Sequence, residues 1–193
     1  MQSMLRGLRL GMLVVGVFAT RASALTYTVD QEATPALDAP YFYGGVGTGT
    51  SVGQEFVPQQ ASLDVVELWF ETDSKTCYPY ASIVVVIRDQ ALTGAILGTS
   101  NATTVGCFHG ALEFDFPSSV TLTPGHTYVI EPIADDFNYW YMTINGGLDV
   151  YAPGHAVMYG DQYSEHDFWF REGPATPVAT VPTTWGSIKA LYR

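Results

Sequence analysis

The run Ala111-Leu112-Glu113-Phe114-Asp115-Phe116 alternates apolar and acidic side chains, and this period of two constrains the fold more than any other feature of the chain. In an extended strand it puts Leu112, Phe114 and Phe116 on one face and Glu113 and Asp115 on the other, a separation that the 3.6-residue period of a helix would scramble. Leu63 to Glu71 carries apolar bulk on both faces, with Leu63, Val65 and Trp69 on one and Asp64, Val66, Leu68 and Phe70 on the other. Ala81 to Ile87 is an unbroken apolar run rich in β-branched residues, and both segments belong in the middle of a sheet. Further strands are expected over Leu25 to Val29, Ala95 to Thr99, His126 to Ile133, Tyr139 to Ile144, Ala156 to Tyr159 and Asp167 to Arg171. Gln31 to Pro40, with two prolines, reads as a loop, and the glycine-rich stretch from Tyr41 to Gly53 as turning or bulged. Short strands joined by turn residues, with no helical period between them, predict an all-β fold: a two-sheet antiparallel β-sandwich of jelly-roll type.

The first 24 residues have a different character. Arg6 and Arg9 precede an apolar run from about Leu10 to Ala19, which ends in the small-x-small triplet Ala22-Ser23-Ala24. That is the layout of a secretory signal peptide, with a mature chain beginning near Leu25. The apolar run is short for a hydrocarbon core of about 30 Å, and no later segment is long and apolar enough to span one. No cysteine follows the cleavage site to carry a lipid, so a secreted or cell-surface protein without a transmembrane segment is expected. The two cysteines, Cys77 and Cys107, both fall in the exported part. In an oxidising compartment they are expected to form one disulfide, worth about 4 kcal/mol of loop-closure entropy.

After the leader, residues 25–172 suit one sandwich domain with a single core. Residues 173–184 read as a Pro/Thr linker, and 185–193 as a tail in which Trp185, Ile188 and Leu191 or Tyr192 have the spacing of a short helix. Arg6, Arg9 and Arg21 leave with the leader while all 19 acids remain, so the formal charge moves from −11 to −14. A field of that sign repels phosphate backbones and excludes nucleic acid as a partner.

A distributed pattern runs through the mature chain. Its residues are Gly53, Gln54 and Phe56; Val86, Ile87, Arg88 and Asp89; Gly94, Leu97 and Gly98; and Phe114 and Phe116. It continues with Val120, Leu122, Pro124, Gly125, Tyr128 and Ile130; Tyr151, Gly154 and Ala156; and Asp167, Phe170 and Arg171. This order resembles bacterial extracellular domains of jelly-roll type, similar in architecture to carbohydrate-binding modules. The ending from Thr184 to Arg193 resembles C-terminal tails of exported bacterial proteins. The resemblance implies a fold more than a function, because no catalytic signature is concentrated in it.

Three features could bind a ligand. In Phe137-Asn138-Tyr139-Trp140-Tyr141, strand alternation turns either Trp140 or the pair Tyr139 and Tyr141 outward, where flat rings stack on sugars; Tyr151 and Trp169 are secondary candidates. The oxygen-rich stretch containing Asp161, Glu165 and Asp167, with Asp135, Asp136 and Asp149, could hold a structural calcium, although it lacks the Asp-x-Asp-x-Asp-Gly repeat. His109, His126, His155 and His166 show no zinc-binding spacing.

The expected function is therefore that of a non-catalytic exported domain that binds a glycan or another cell-surface partner, with no cofactor required beyond that candidate calcium. One alternative is a structural or cell-surface component docking through its C-terminal tail. The other is a polysaccharide-acting enzyme with paired carboxylates drawn from Glu67, Glu71, Glu113, Asp115 and Glu131.

Overall fold

The computed structural model describes residues 26–37, 42–47, 49–72, 81–135 and 142–176, and within them every regular element is a strand. In chain order these are β1 (Gln31–Ala33), β2 (Phe42–Gly45), β3 (Val52–Phe56), β4 (Ser62–Thr72), β5 (Ala81–Asp89), β6 (Ile96–Thr99) and β7 (Thr103–Val105). They continue with β8 (His109–Thr121), β9 (Tyr128–Ala134), β10 (Met142–Leu148), β11 (Ala156–Met158), β12 (Asp161–Tyr163), β13 (His166–Phe168) and β14 (Phe170–Gly173). They form two antiparallel sheets packed face to face, the β-sandwich that the alternation predicts. One sheet runs β1-β14-β4-β10-β13, with β8 on the far edge of β4 and β2 beside β10; the other runs β12-β11-β3-β9-β5-β6, with β7 also on β5.

The core is where the two inner faces meet. Phe70, Phe114, Phe168 and Phe170 from the first sheet and Phe56, Ile83, Ile87 and Ile130 from the second are fully buried in one cluster. Each such side chain contributes about 1.5–3 kcal/mol relative to exposure. The clean alternation of β8 is borne out: Phe114 and Phe116 lie in the core and Leu112 packs against it.

Strand β4 departs from simple parity. The register against β8 shifts between Leu63 and Val65, where one residue of β4 stands against four of β8, and Leu63 joins Val66, Leu68 and Phe70 in the core. Glu67, Trp69 and Glu71 therefore share the opposite, outer face, and Trp69 does not share a face with Leu63.

Other expectations are corrected by pairing that crosses long stretches of sequence. Tyr27 makes only an isolated bridge to Ala175, while β1 forms inside the segment read as a loop, held by the register of Glu32 with Arg171. The same pairing carries the sheet past residue 172: Thr28 donates to the Pro174 carbonyl and Thr176 to that of Thr26. Within the glycine-rich stretch Phe42–Gly45 is a strand, and Gly44 is needed because a Cβ there would come within 2.4 Å of Val52 Cγ2. The acidic stretch 161–167 is a pair of strands with a turn between them. β11 and β12 are joined through Tyr159 (φ 54°) and Gly160 (φ 92°), the two left-handed residues of a tight hairpin turn.

The segment read as one strand from Asp167 to Arg171 is split at Trp169. Before it β13 pairs with β10, after it β14 pairs with β4, and β4 pairs with β10 beyond. All three pairings are antiparallel, so the strands meet as a three-way fork. At its vertex Trp169 N–H donates to the Asn145 carbonyl and Trp69 N–H to the Trp169 carbonyl.

The motif residues of the resemblance hold this frame together. Gln54 on β3 donates to the Asp167 carboxylate and accepts from Phe168 N–H, which ties the two sheets. Arg88 pairs with Glu131 and donates to the Gly94 carbonyl, Asp89 with His126 at 2.7 Å, and Tyr128 accepts from Thr123 N–H. A Cβ on Gly94 would collide with the Asp89 carbonyl at 1.8 Å.

Candidate functional site

The outer face of the first sheet, around the fork, gathers aromatic and polar side chains that the inner face cannot accommodate. Cross-strand register lays them out in rows. Glu32, Arg171, Glu67 and Glu113 stand opposite one another in turn across β1, β14, β4 and β8. Two residues further along β4, Trp69 lies beside Trp169 at the vertex and opposite Ala111. Two residues beyond that, Glu71 lies between Thr143 of β10 and His109 of β8. Strand geometry makes the distance from Glu67 to Glu71 about 13 Å.

The rows are connected. Arg171 Nε donates to Glu32 at 3.0 Å, Nη1 lies 4.0 Å from Glu67, and the guanidinium carbon sits 5.2 Å from the Trp169 ring centre. This cation–π contact fixes one face of Trp169. Trp169 meets Trp69 edge-on at 5.8 Å and 62°, and Trp69 meets His109 at 5.6 Å and 89°. Asn145 Nδ2 donates to Glu71 at 2.9 Å and its Oδ1 accepts from the Thr143 hydroxyl at 2.8 Å. Next to Asn145, Gly146 lets the strands close up, since a Cβ would lie 2.0 Å from the Asp167 carbonyl. The Tyr27 hydroxyl bonds to Glu67, and burial first, with the Glu67 charge second, raises its pKa well above the phenolic range.

Two buried polar atoms of this face lack protein partners: Trp69 Nε1 and Asp115 Oδ1. Chemically the face offers the half-buried Trp69 ring and carboxylate acceptors at both ends of a row, a combination suited to a polyhydroxylated molecule.

The other candidates fall elsewhere. Tyr139, Trp140 and Tyr141 lie outside the described residues, as do Asp136, Cys77, the leader and the tail. Tyr151 is a core residue, 6% exposed, and not a stacking platform. Its hydroxyl donates to Gln31 Oε1, accepts from Val57 N–H, and is pushed up to about 12 chiefly by burial. Trp169 does join the site, but at 9% exposure it backs Trp69 and leaves Trp69 as the contact ring.

The calcium trio is not brought together. Asp161 and Glu165 are exposed, whereas Asp167 is fully buried with its oxygens taken by Gln54, Val150 and Tyr151. Among the described residues no group of three or more His, Cys, Asp or Glu is placed to hold a metal. His126 lies on Asp89 and His166 stacks on Phe42, so the histidines serve separate neighbourhoods. Of the carboxylates, Glu131 belongs to the other sheet, while Glu67, Glu71, Glu113 and Asp115 share β4 and β8.

Sequence reasoning missed Trp69 as the centre because the register shift near Leu63 reverses its face, and it missed Asn145 because only the fork brings it to Glu71. Cys107 is not a free thiol. No helix among the described residues is long and apolar enough to cross a membrane. The chain matches no protein-family model and no curated protein.

Proposed function

We propose that this chain is a secreted, non-catalytic domain of jelly-roll type that binds carbohydrate on the outer face of its first sheet. The observation that carries this reading is the fork vertex, where Trp69, backed by Trp169, stands between two rows of hydrogen-bonding side chains. A sugar stacks its C–H face on an indole while its hydroxyls bond carboxylates and amides, so recognition needs this mixture and little net rearrangement. The test is a glycan screen of the purified protein, with calcium and again with chelator. Binding should fall at least tenfold in Trp69→Ala and be partly retained in Trp69→Phe, each variant checked for an intact fold by circular dichroism. Binding unchanged in a folded Trp69→Ala would overturn the assignment of this face. Loss with chelator would add a calcium to the binding state.

One observation favours a second reading, a polysaccharide-acting enzyme. Glu67 and Glu113 stand directly opposite on adjacent strands, where Cβ atoms are about 4.5–5.5 Å apart, within reach of a carboxylate pair. Turnover on the same glycans, abolished by Glu67→Gln or Glu113→Gln, would establish it.

Export carries its own expectation: Cys77 and Cys107 paired in the native protein. Alkylation before reduction should label no thiol, and after reduction two. Labelling of the unreduced protein would refute the pairing.

A further inference from the structure

Tyr43 of β2 points outward from the first sheet and is 56% exposed. Its neighbours face the other way: Phe42 is buried in the core, and a Cβ on Gly44 would meet Val52 and Phe168. Register sets Tyr43 directly opposite Asn145 of β10. From there the line runs on through the fork, since the Asn145 carbonyl accepts from Trp169 N–H and the Trp169 carbonyl from Trp69 N–H. Tyr43, Asn145, Trp169 and Trp69 therefore follow one another across the outer face from β2 to β4. Asn145 and Trp169 are buried, which leaves an exposed ring at one end of the line and the half-buried Trp69 ring at the other. Three strand spacings, ~14 Å, separate the two backbones.

Resting on the carbohydrate reading, we infer that Tyr43 is a second stacking position of the same site, and that the ligand is an extended, neutral polysaccharide chain lying across the strands. That separation is more than one sugar ring covers. A monosaccharide or disaccharide therefore meets one ring, whereas a longer chain meets both and gains by linking two weak contacts on one ligand. Sugars bearing carboxylate or sulfate are disfavoured, because Arg171, the one permanent cation on this face among the described residues, is held by Glu32 and Glu67. An extended peptide docks by pairing its backbone with a strand edge, but this line crosses β10, whose backbone is already paired with β2 on one side and with β4 and β13 on the other.

The test is calorimetry of the purified protein with β-1,4-linked glucose, mannose and xylose oligomers of two and six units, a uronic acid hexamer and a proline-rich peptide. A neutral hexamer should bind at least tenfold more tightly than its dimer. Tyr43→Ala should erase that gain, bringing the hexamer within twofold of the dimer while dimer affinity stays within twofold of the unsubstituted protein. Tyr43→Leu, which keeps apolar bulk without a ring, should do the same, and Tyr43→Phe should keep most of the gain. Trp69→Ala should weaken both lengths.

Equal affinity for dimer and hexamer, or a hexamer affinity untouched by Tyr43→Ala and Tyr43→Leu, would overturn the inference and leave carbohydrate binding standing. So would binding confined to some other glycan of the wider screen, or a uronic acid hexamer bound as tightly as the neutral ones. Tight binding of the proline-rich peptide with the same dependence on Tyr43 would overturn it in favour of a peptide. Binding to no glycan in this set or in the wider screen would remove the carbohydrate reading itself.

Discussion

Replacing Glu172 by Gln should stabilise the protein by about 3–5 kcal/mol at pH 8 relative to the same substitution's effect at pH 4. Glu172 faces inward from β14, fully buried between the sheets, and neither carboxyl oxygen reaches hydrogen-bond geometry with a partner. Burial, and then the nearby charge of Asp30, push its pKa up to about 9 from 4.5; the neighbouring Gln31 backbone N–H acts in the opposite direction and offsets only part of this. In the unfolded chain the group loses its proton near pH 4.5, whereas the folded protein holds it to about 9. Between those values unfolding releases a proton, so this residue's contribution to stability falls as pH rises and is most favourable below 4.5. Glutamine keeps the shape and stays neutral in both states, which removes the dependence. Urea melts at pH 4, 6 and 8 measure it directly. Parallel pH dependences for the two proteins would show that Glu172 is ionised in the folded state.

Asp167→Ala should cost on the order of 3–5 kcal/mol, a large fraction of the stability of a typical domain. The Asp167 carboxylate accepts from Gln54 Nε2 at 2.9 Å and from the backbone N–H groups of Val150 and Tyr151, both at 2.7 Å. Burial still holds its pKa above the ordinary carboxylate range, because desolvation outweighs those three bonds. Alanine leaves all three donors buried without acceptors, which costs more than the net worth of the bonds. Asp167→Asn retains an acceptor and should lose clearly less. Equal losses for the two, measured by denaturant unfolding at pH 7, would show that the charge rather than the acceptor count holds the sheets together. Calcium should not restore Asp167→Ala, since the residue's oxygens are used within the protein.

How much of this was legible beforehand depends on the range of the interaction. The period of two in Ala111 to Phe116 is decided by neighbours in sequence, and it placed Phe114 and Phe116 in the core correctly. The β-branched run from Ala81 to Ile87 likewise became β5, flanked on both edges by other strands. Motif residues such as Gln54 and Asp167 were recognisable as a pattern, but their hydrogen bond spans 113 residues and has no local signature. Tyr151 was misjudged for the same reason: an aromatic between Val150 and Ala152 looks equally suited to a surface or a core, and only the approach of Gln31 and Val57 settles it.

The candidate site was least legible of all. Glu67, Glu71, Glu113 and Asp115 could be named as carboxylates, and Trp169 as an aromatic, without any means of assigning them to one face. Trp69 reached that face through the register shift near Leu63, beyond which Val66, Leu68 and Phe70 face the core and Glu67, Trp69 and Glu71 face outward. Trp169 reached it because β13 and β14 leave for different partners on either side of it.

The sequence by itself determined that this chain builds strands, which residues of its regular strands can be buried, and that its charge is strongly negative, because alternation and composition are properties of neighbours and sums. Only the tertiary structure decided that Trp69, Trp169, Arg171 and the carboxylates meet on one face, because register and strand order are set by hydrogen bonds between segments far apart in the chain, and one residue of slip exchanges the inside of a sheet for its outside.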